Sequence, residues 1–279
     1  MSTAVTVSRI EGDQAEPESR RRPAPEADPP RIWWRLEEIN PEAPPPLLLV
    51  GTVHDDPQGC ARVRRLLHHL RPRTVTVEIS PFSLRYRERH GPRWQERFRR
   101  GLAGLPEQAT EHLAIRRLAM KIALPYEWQA AAAYGRSWGV PVLAVDLSAP
   151  ARRHLPAYER ELLSPRNLKA LITLPDGSLT EWVRGEFRRA RLSVRRPLLL
   201  PGGRGQGELT RREAHLARRL TQLWRPGLPL VHLGGWEHLA PREPGPNLFD
   251  RLADLNPARL LLEEADCLPP LPGENAPWV

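Results

Sequence analysis

Cysteine and lysine are scarce in this chain of 279 residues, and the lack of cysteine excludes a disulfide-stabilised scaffold. Cys60 and Cys267 are the only cysteines, and they form neither a CxxC motif nor a disulfide framework. We therefore expect free thiols in a reducing compartment. Lys121 and Lys169 are the only lysines among 42 basic residues, so arginine carries almost all of the formal net charge of +9. The arginines are spread along helical segments, which argues against a nucleic-acid-binding surface.

Long hydrophobic runs are also missing. No segment approaches the ~18 apolar residues of a membrane span, and the first residues lack the apolar region of a signal peptide. We expect a cytoplasmic protein without a membrane span. Residues 1–30 are rich in proline and charge and are predicted to be a disordered tail. Residues 31–267 are predicted to form a single domain, and residues 268–279 a C-terminal tail.

Short apolar segments alternate with helical patterns along the predicted domain. The predicted strands are "LLLVG", "TVTVEI", "VPVLAVD", "LPLVHLGG" and "ARLLLEE", and "RIWWRLEEI" is a candidate edge strand. This alternation predicts an α/β fold with a mainly parallel central sheet and helices on both faces. The segments at about 81–135 and 150–225 exceed a simple crossover and are expected to be helical insertions over one end of the sheet. The glycine-rich stretch at 202–207 is expected to be a flexible crossing, because it lacks the pattern of a phosphate loop.

Two predicted strands end in the same way, on a glycine followed three residues later by a histidine. Gly51 and His54 follow the first strand, and Gly235 and His238 follow the fourth. Glu78 lies at the end of "TVTVEI", and Asp146 ends "VPVLAVD". Ligands of open α/β sheets bind outside the carboxyl ends of the strands. The sequence therefore predicts that these histidines and acids converge at one edge of the sheet.

Four segments in order resemble the TraB/PrgY/GumN family, which includes the Tiki proteins and is related to the ChaN and erythromycin-esterase folds. They are "LLLVGTVHDDPQG", "LRPRTVTVEISPFSLRYR", "YEWQAAAAYGRSWGVPVLAVDLS" and "RREAHLARRL…LPLVHLGGWEHL". The resemblance spans about residues 47–239. It implies a hydrolytic, metal-dependent role for some members. The family positions map onto Glu78, Glu127, Asp146, Arg212, Glu213 and either Arg85 or Arg87. The family aspartate is usually followed by arginine, whereas Asp146 is followed by Leu147.

The first mechanistic hypothesis is a metal-dependent hydrolase of peptide or other acyl bonds. His54, His238 and Glu78 would hold a divalent ion such as zinc, manganese or cobalt, and Asp55 or Glu237 would add an oxygen ligand. Two nitrogens and a carboxylate with an open position suit a catalytic ion. Such an ion would acidify its bound water and polarise the scissile carbonyl.

A second hypothesis needs no metal. His54 acts as general base, Glu78 or Glu127 orients it, and Arg85 or Arg212 stabilises the oxyanion. Asp146 completes the predicted catalytic set, and the predicted substrate-binding residues are Gly51, Thr52, Arg85, Gly235 and Trp236. A third hypothesis is a regulatory protein of the same fold that binds a ligand, a metal or haem without turnover.

Each acid also has a plainer interpretation. Glu78 would be half of a buried ion pair with an arginine, Asp146 a helix cap, and Glu127 a first-turn helix acid. The remaining histidines that we considered, including His154 and His232, are interpreted as structural.

Overall fold

A computed structural model describes residues 33–196, 198–199, 204–243 and 245–272. The expectation of a disordered tail at 1–30, and most of the C-terminal tail, lie outside these residues. The strands are β1 (Leu47–Thr52), β2 (Thr74–Val77), β3 (Val142–Ala144), β4 (Leu198–Leu199), β5 (Leu230–Gly235), β6 (Arg242–Glu243) and β7 (Ala258–Leu261). The helices are α1 (Gly59–Leu70), α2 (Pro81–Leu102), α3 (Leu113–Ile122), α4 (Tyr126–Trp138), α5 (Ser148–Glu161), α6 (Pro165–Leu171), α7 (Leu179–Ser193), α8 (Arg204–Leu223) and α9 (Leu248–Arg251).

Five strands form one parallel sheet in the order β3-β2-β5-β1-β7. Every residue of β1 and of β5 is buried, as expected for central strands covered on both faces. β1, α1 and β2 follow one another along the chain, and β5 lies between the two strands in the sheet. A separate short pairing joins β4 and β6, which the sequence analysis did not predict.

The side chains of β1 alternate between two hydrophobic clusters. Leu48 and Val50 pack in the cluster that includes residues of α1 and α4. Leu47 and Leu49 pack in a second cluster with residues of α8 and α9. Because successive strand side chains point to opposite faces, helices cover both faces of the sheet. The predicted α/β class and its mainly parallel sheet are confirmed.

A third cluster contains no residue of the sheet. It joins α2, α3, α5 and α6 through side chains such as Trp94, Ile115, Leu155 and Leu168. These helices belong to the predicted insertions and form a layer with its own core. In the part of the chain that the structure describes, no helix is long and apolar enough to cross a membrane.

Two local predictions need correction. The predicted edge strand at 31–39 is reduced to a single bridge between Trp34 and Leu260, and Leu36–Glu38 is a 3-10 helix. The expected flexible crossing at 202–207 is partly helical, because α8 begins at Arg204. A run of glutamate, leucine and arginine follows these glycines, and its strong helix propensity extends back through them.

Candidate active site

The carboxyl ends of β1, β2, β3 and β5 meet at one edge of the sheet, called the rim here. His54 follows β1, Glu78 follows β2, Asp146 follows β3, and His238 follows β5. All four residues line a single cavity of about 970 Å3. Residues of α2, α3, α5, α7 and α8 form its remaining walls. The structure therefore brings the four predicted residues together beneath the helical insertions.

Glu78 is the most enclosed carboxylate of the rim, with a side chain only 1% exposed. Its Oε1 lies 2.5 Å from Arg212 Nη2 and 3.0 Å from His238 Nε2. Its Oε2 accepts a 2.7 Å hydrogen bond from the Gly235 backbone N–H. Burial opposes its charge, but His238 and Arg212 outweigh burial and hold the pKa of Glu78 well below its usual range. Glu78 is therefore an ionised acid whose two oxygens are both engaged.

Arg212 connects α8 to two strands of the rim. Its Nη2 contacts Glu78, and its Nε and Nη2 donate to the two oxygens of Asp146 at 2.8 Å and 2.7 Å. Such forked contacts fix the plane of the guanidinium. Although burial works against the charge, Glu78 and Asp146 raise the pKa of Arg212 above its already high value. Asp146 Oδ1 also accepts a hydrogen bond from the adjacent Leu147 N–H, but the N-cap of α5 is Leu147 and has no side-chain cap, so the helix-cap interpretation of Asp146 is wrong.

His238 lies between two carboxylates. Its Nε2 faces Glu78, and its Nδ1 lies 3.3 Å from Oε1 of Glu213, which is fully buried on α8. Arg242, also buried, pairs with the other oxygen of Glu213. Both ring nitrogens of His238 therefore have a carboxylate partner. His238 is thus a connecting residue within a buried chain of charges rather than a free base.

Glu213 and Arg242 were not among the predicted site residues, although the resemblance matched Glu213 to a family position. The pattern of α8 contained a signal for the first of them. Glu213 lies three residues before Leu216 and seven before Leu220, both fully buried, so it occupies the apolar stripe of the helix. An acid at such a position is buried and needs a partner.

His54 has the opposite environment to His238. Its Nδ1 lies 2.8 Å from Oε1 of Glu127, and Thr52 Oγ1 donates to the same oxygen at 2.9 Å. Glu127 is buried in the first turn of α4, whereas the His54 side chain is 54% exposed towards the cavity. Among the described residues, His54 Nε2 has no hydrogen-bond partner.

The protein around the His54 ring desolvates it, which works against protonation. The carboxylates of Glu127 and, further away, Glu78 outweigh this effect and raise the pKa of His54 to about 9. The Tyr126 hydroxyl donates to the Val53 carbonyl at 3.0 Å and ties the start of α4 to the loop before His54. The hydrogen bond from Thr52 therefore fixes the Glu127 carboxylate, and the hydrogen bond from Tyr126 fixes the loop that carries His54.

Two glycines at the end of β5 make room for these side chains. A Cβ at Gly234 would lie 2.7 Å from Glu78 Oε2 and 2.9 Å from Nε2 of the buried His232. A Cβ at Gly235 would lie 3.0 Å from His54 Nε2 and 3.7 Å from His238 Cδ2. The rings of His54 and His238 thus both lie beside the Cα of Gly235, while Glu78 and His232 lie beside the Cα of Gly234. Neither position has room for a side chain, which explains the two glycines.

The other predicted binding residues have different surroundings. Gly51 does not line the cavity and packs against Trp236, whereas Thr52 and Trp236 are buried residues of the cavity wall. Arg85 is exposed on α2 and lies outside the cavity. Arg87, two residues later, lines it. The resemblance matched the family arginine to either Arg85 or Arg87, and of these two only Arg87 lines the cavity.

The three predicted metal ligands, His54, His238 and Glu78, lie close together, but their donor atoms do not point to one free position. Both oxygens of Glu78 and both nitrogens of His238 have partners within the protein. The Arg212 guanidinium already supplies the positive charge at Glu78, so a divalent cation would have to displace it. Among the residues described, no group of three His, Cys, Asp or Glu side chains could hold a metal ion. The geometry therefore does not fit a metal held by these three residues.

Of the histidines interpreted as structural, His232 is a core residue of β5. It is fully buried, and its Nδ1 lies 3.0 Å from Thr76 Oγ1 on the neighbouring strand. Burial lowers the pKa of His232 to about 4. His154 differs, because it lines the cavity from α5.

Comparison with known proteins adds no family name to this geometry. No family model matches the chain, and neither a curated protein nor a solved structure matches it.

Proposed function

We propose that the chain is a hydrolase of peptide or other acyl bonds in which His54 is the general base and Glu127 orients it. One observation carries the proposal: His54 holds Glu127 through Nδ1 while its Nε2 stays free in a large cavity beside a fixed arginine. A histidine between a buried carboxylate and an open cleft is the arrangement that general-base chemistry requires. The resemblance to the TraB/PrgY/GumN family belongs to the same proposal.

The proposed reaction uses the chain's own residues. His54 Nε2 takes a proton from a water molecule, whose oxygen attacks the acyl carbon. Glu127 stabilises the imidazolium that forms, and the imidazolium returns the proton to the leaving group as the acyl bond breaks. Arg212 is 30% exposed, and its Nη1 makes no contact with Glu78 or Asp146, so this nitrogen can donate to the developing oxyanion.

Hydrolysis of 4-nitrophenyl esters and of a peptide library tests the proposal with the His54→Asn variant. Loss of the base should lower kcat/KM by about 10²–10⁴-fold. His69→Asn is the matched control, because His69 lies on α1 outside the cavity. Treatment with EDTA should leave the wild-type rate unchanged. Full activity of His54→Asn, or activity that EDTA abolishes and zinc or manganese restores, would contradict the mechanism.

Ligand binding without turnover is a second candidate, and the raised pKa of His54 favours it. A histidine with a pKa of about 9 is mostly cationic at neutral pH and suits an anionic ligand. In that case no ester or peptide is hydrolysed between pH 6 and 10, and His54→Asn weakens ligand binding alone. The presence or absence of turnover over this pH range therefore separates the two candidates.

A further inference from the structure

The helical wall of the cavity carries positive charge that the protein does not neutralise. Among the arginines and lysines lining the cavity, Arg117, Arg189 and Arg212 each pair with a carboxylate: Asp55, Glu186, and Glu78 with Asp146. Arg87 and Lys121 line the same cavity, and neither has a carboxylate partner among the described residues. This unpaired charge faces the space in which a substrate would lie.

Arg87 and Lys121 are neighbours in space although they come from different helices. Arg87 Nη1 donates to the Lys121 carbonyl at 2.7 Å and to the Ala123 carbonyl at 2.9 Å, at the end of α3. Lys121 Nζ lies 5.8 Å from the ring centre of Tyr158, a third residue of the cavity wall. We call Arg87, Lys121 and Tyr158 the cationic wall.

Only Nη1 of the Arg87 guanidinium is used to bind the carbonyl groups at the end of α3. Arg87 Nε lies 3.3 Å from Ser83 Oγ, while Nη2 makes no hydrogen bond within the described residues. Burial lowers the pKa of Arg87, as expected for a half-buried cation without an acidic partner. Keeping such a charge desolvated is costly unless an anion joins it. Lys121, the other cation without a carboxylate partner among the described residues, is exposed.

We propose that the substrate carries a second, non-reacting anionic group, a carboxylate or a phosphate, which docks on Arg87 and Lys121 while its acyl bond lies at His54. This inference rests on the proposed hydrolase function and names its substrate class. Guanidinium and ammonium groups both form charge-assisted hydrogen bonds with such anions, and the Tyr158 hydroxyl is a further donor. A neutral acyl compound would leave both cations unpaired.

The test compares two esters of equal chain length, mono-4-nitrophenyl glutarate and 4-nitrophenyl valerate. The wild-type protein should hydrolyse the anionic ester with at least about tenfold higher kcat/KM, the scale of one charge-assisted contact. Lys121→Met should remove most of that preference, which is measured as the ratio of kcat/KM for the two esters. Lys169→Met is the matched control, because Lys169 is exposed on α6 outside the cavity. Equal rates on both esters in the wild type, or an unchanged preference in Lys121→Met, would overturn the inference.

Thermal unfolding separates this inference from the proposed function. If neither ester is hydrolysed, the hydrolase proposal fails, and binding of the anion alone is decisive. Glutarate or inorganic phosphate should raise Tm of the wild type and of Lys169→Met, and raise it less in Lys121→Met. The anion with the larger shift identifies the group that the wall prefers. No shift of the wild-type Tm with either anion would overturn the cationic wall as a binding site.

Discussion

At the scale of single residues, His54 and His238 differ in the partners of their ring nitrogens. His238 is closed in by Glu78 and Glu213, whereas His54 has one carboxylate and one free nitrogen. The same GxxH motif therefore places one histidine between two carboxylates and leaves the other with a ring nitrogen open to the cavity. The difference arises from Glu127 and Glu213, which lie on helices far from either motif in sequence.

If His54 is the general base that we propose, it should control the pH dependence of hydrolysis. A general base works only when neutral, so kcat/KM should rise with pH and level off above about 9, the pKa of His54. Glu127→Gln removes the carboxylate that raises this pKa, so the rise should shift to lower pH. The pH profiles of the two proteins give the measurement. Glu237→Gln, which changes an exposed acid of the same cavity, should keep the wild-type profile. Identical profiles for wild type and Glu127→Gln would contradict the pairing.

Glu78 should behave as the centre of a buried charge network. Glu78→Gln keeps the volume but leaves Arg212 and His238 with a lost partner, and breaking a buried pair costs about 3–5 kcal/mol of stability. Denaturant unfolding measures this cost. Glu237→Gln should change the free energy of unfolding by less than about 0.5 kcal/mol. A Glu78→Gln protein as stable as the wild type would show that the network is not essential to the fold.

Which residues meet at the rim could be predicted because parallel strands end at the same edge. Glu78, Asp146, His54 and His238 all follow strands that periodicity reveals. What each residue contacts could not be predicted, because the partners lie on α4 and α8. The rotation of those helices depends on packing against the sheet, which local pattern does not determine. The sequence likewise could not decide between Arg85 and Arg87. They are two residues apart on α2, yet Arg85 is exposed and Arg87 lines the cavity.

At the scale of elements, β5 fits its neighbours only because it ends in two glycines. Its register places Gly234 beside Gly51 and Gly235 beside Thr52, so backbone and side chains are crowded at the rim. The sequence analysis identified one glycine of each motif, and the structure adds Gly234. Two helices carry a clear sequence signal at one end. Ser80 caps the start of α2, and Gly139, with φ of 66°, caps the end of α4.

Filling the space at the end of β5 should destabilise the sheet. In Gly234→Ala the new methyl group would collide with Glu78 Oε2 and His232 Nε2, and overpacking typically costs about 1–3 kcal/mol. Gly185→Ala on α7 is the matched control, because nothing lies within 4 Å of its added Cβ. Alanine should stabilise that helix by about 0.5–1 kcal/mol. Urea unfolding of both variants checks the contrast, and a harmless Gly234→Ala would contradict the crowding.

At the scale of the whole molecule, two histidines with opposite pKa shifts should shape stability. The pKa of His54 is raised from 6.5 to about 9, so its contribution is complete below pH 6.5 and is lost as pH rises through 9. The pKa of His232 is lowered from 6.5 to about 4, so the unfolded chain takes up its proton first as pH falls. Stability should therefore decline on both sides of about pH 6.5.

Urea unfolding from pH 4 to pH 10 measures this profile. Glu127→Gln should flatten the alkaline side, and His232→Asn the acid side between about 6.5 and 4. Glu237→Gln should change neither side. If the stability of Glu127→Gln declines as steeply above pH 6.5 as that of the wild type, the decline comes from groups other than His54.

The strand order has a consequence for synthesis. Both neighbours of β1 come from the end of the chain, since β1 ends at Thr52 while β5 begins at Leu230 and β7 at Ala258. A ribosome adds about 5–20 residues per second, so both edges of β1 stay unpaired for on the order of ten seconds or more. Unpaired apolar edges are templates for association between chains. The nascent protein therefore depends on protection of "LLLVGT" until its last strands emerge, and changes that slow translation between β3 and β5 should lower the yield of folded protein.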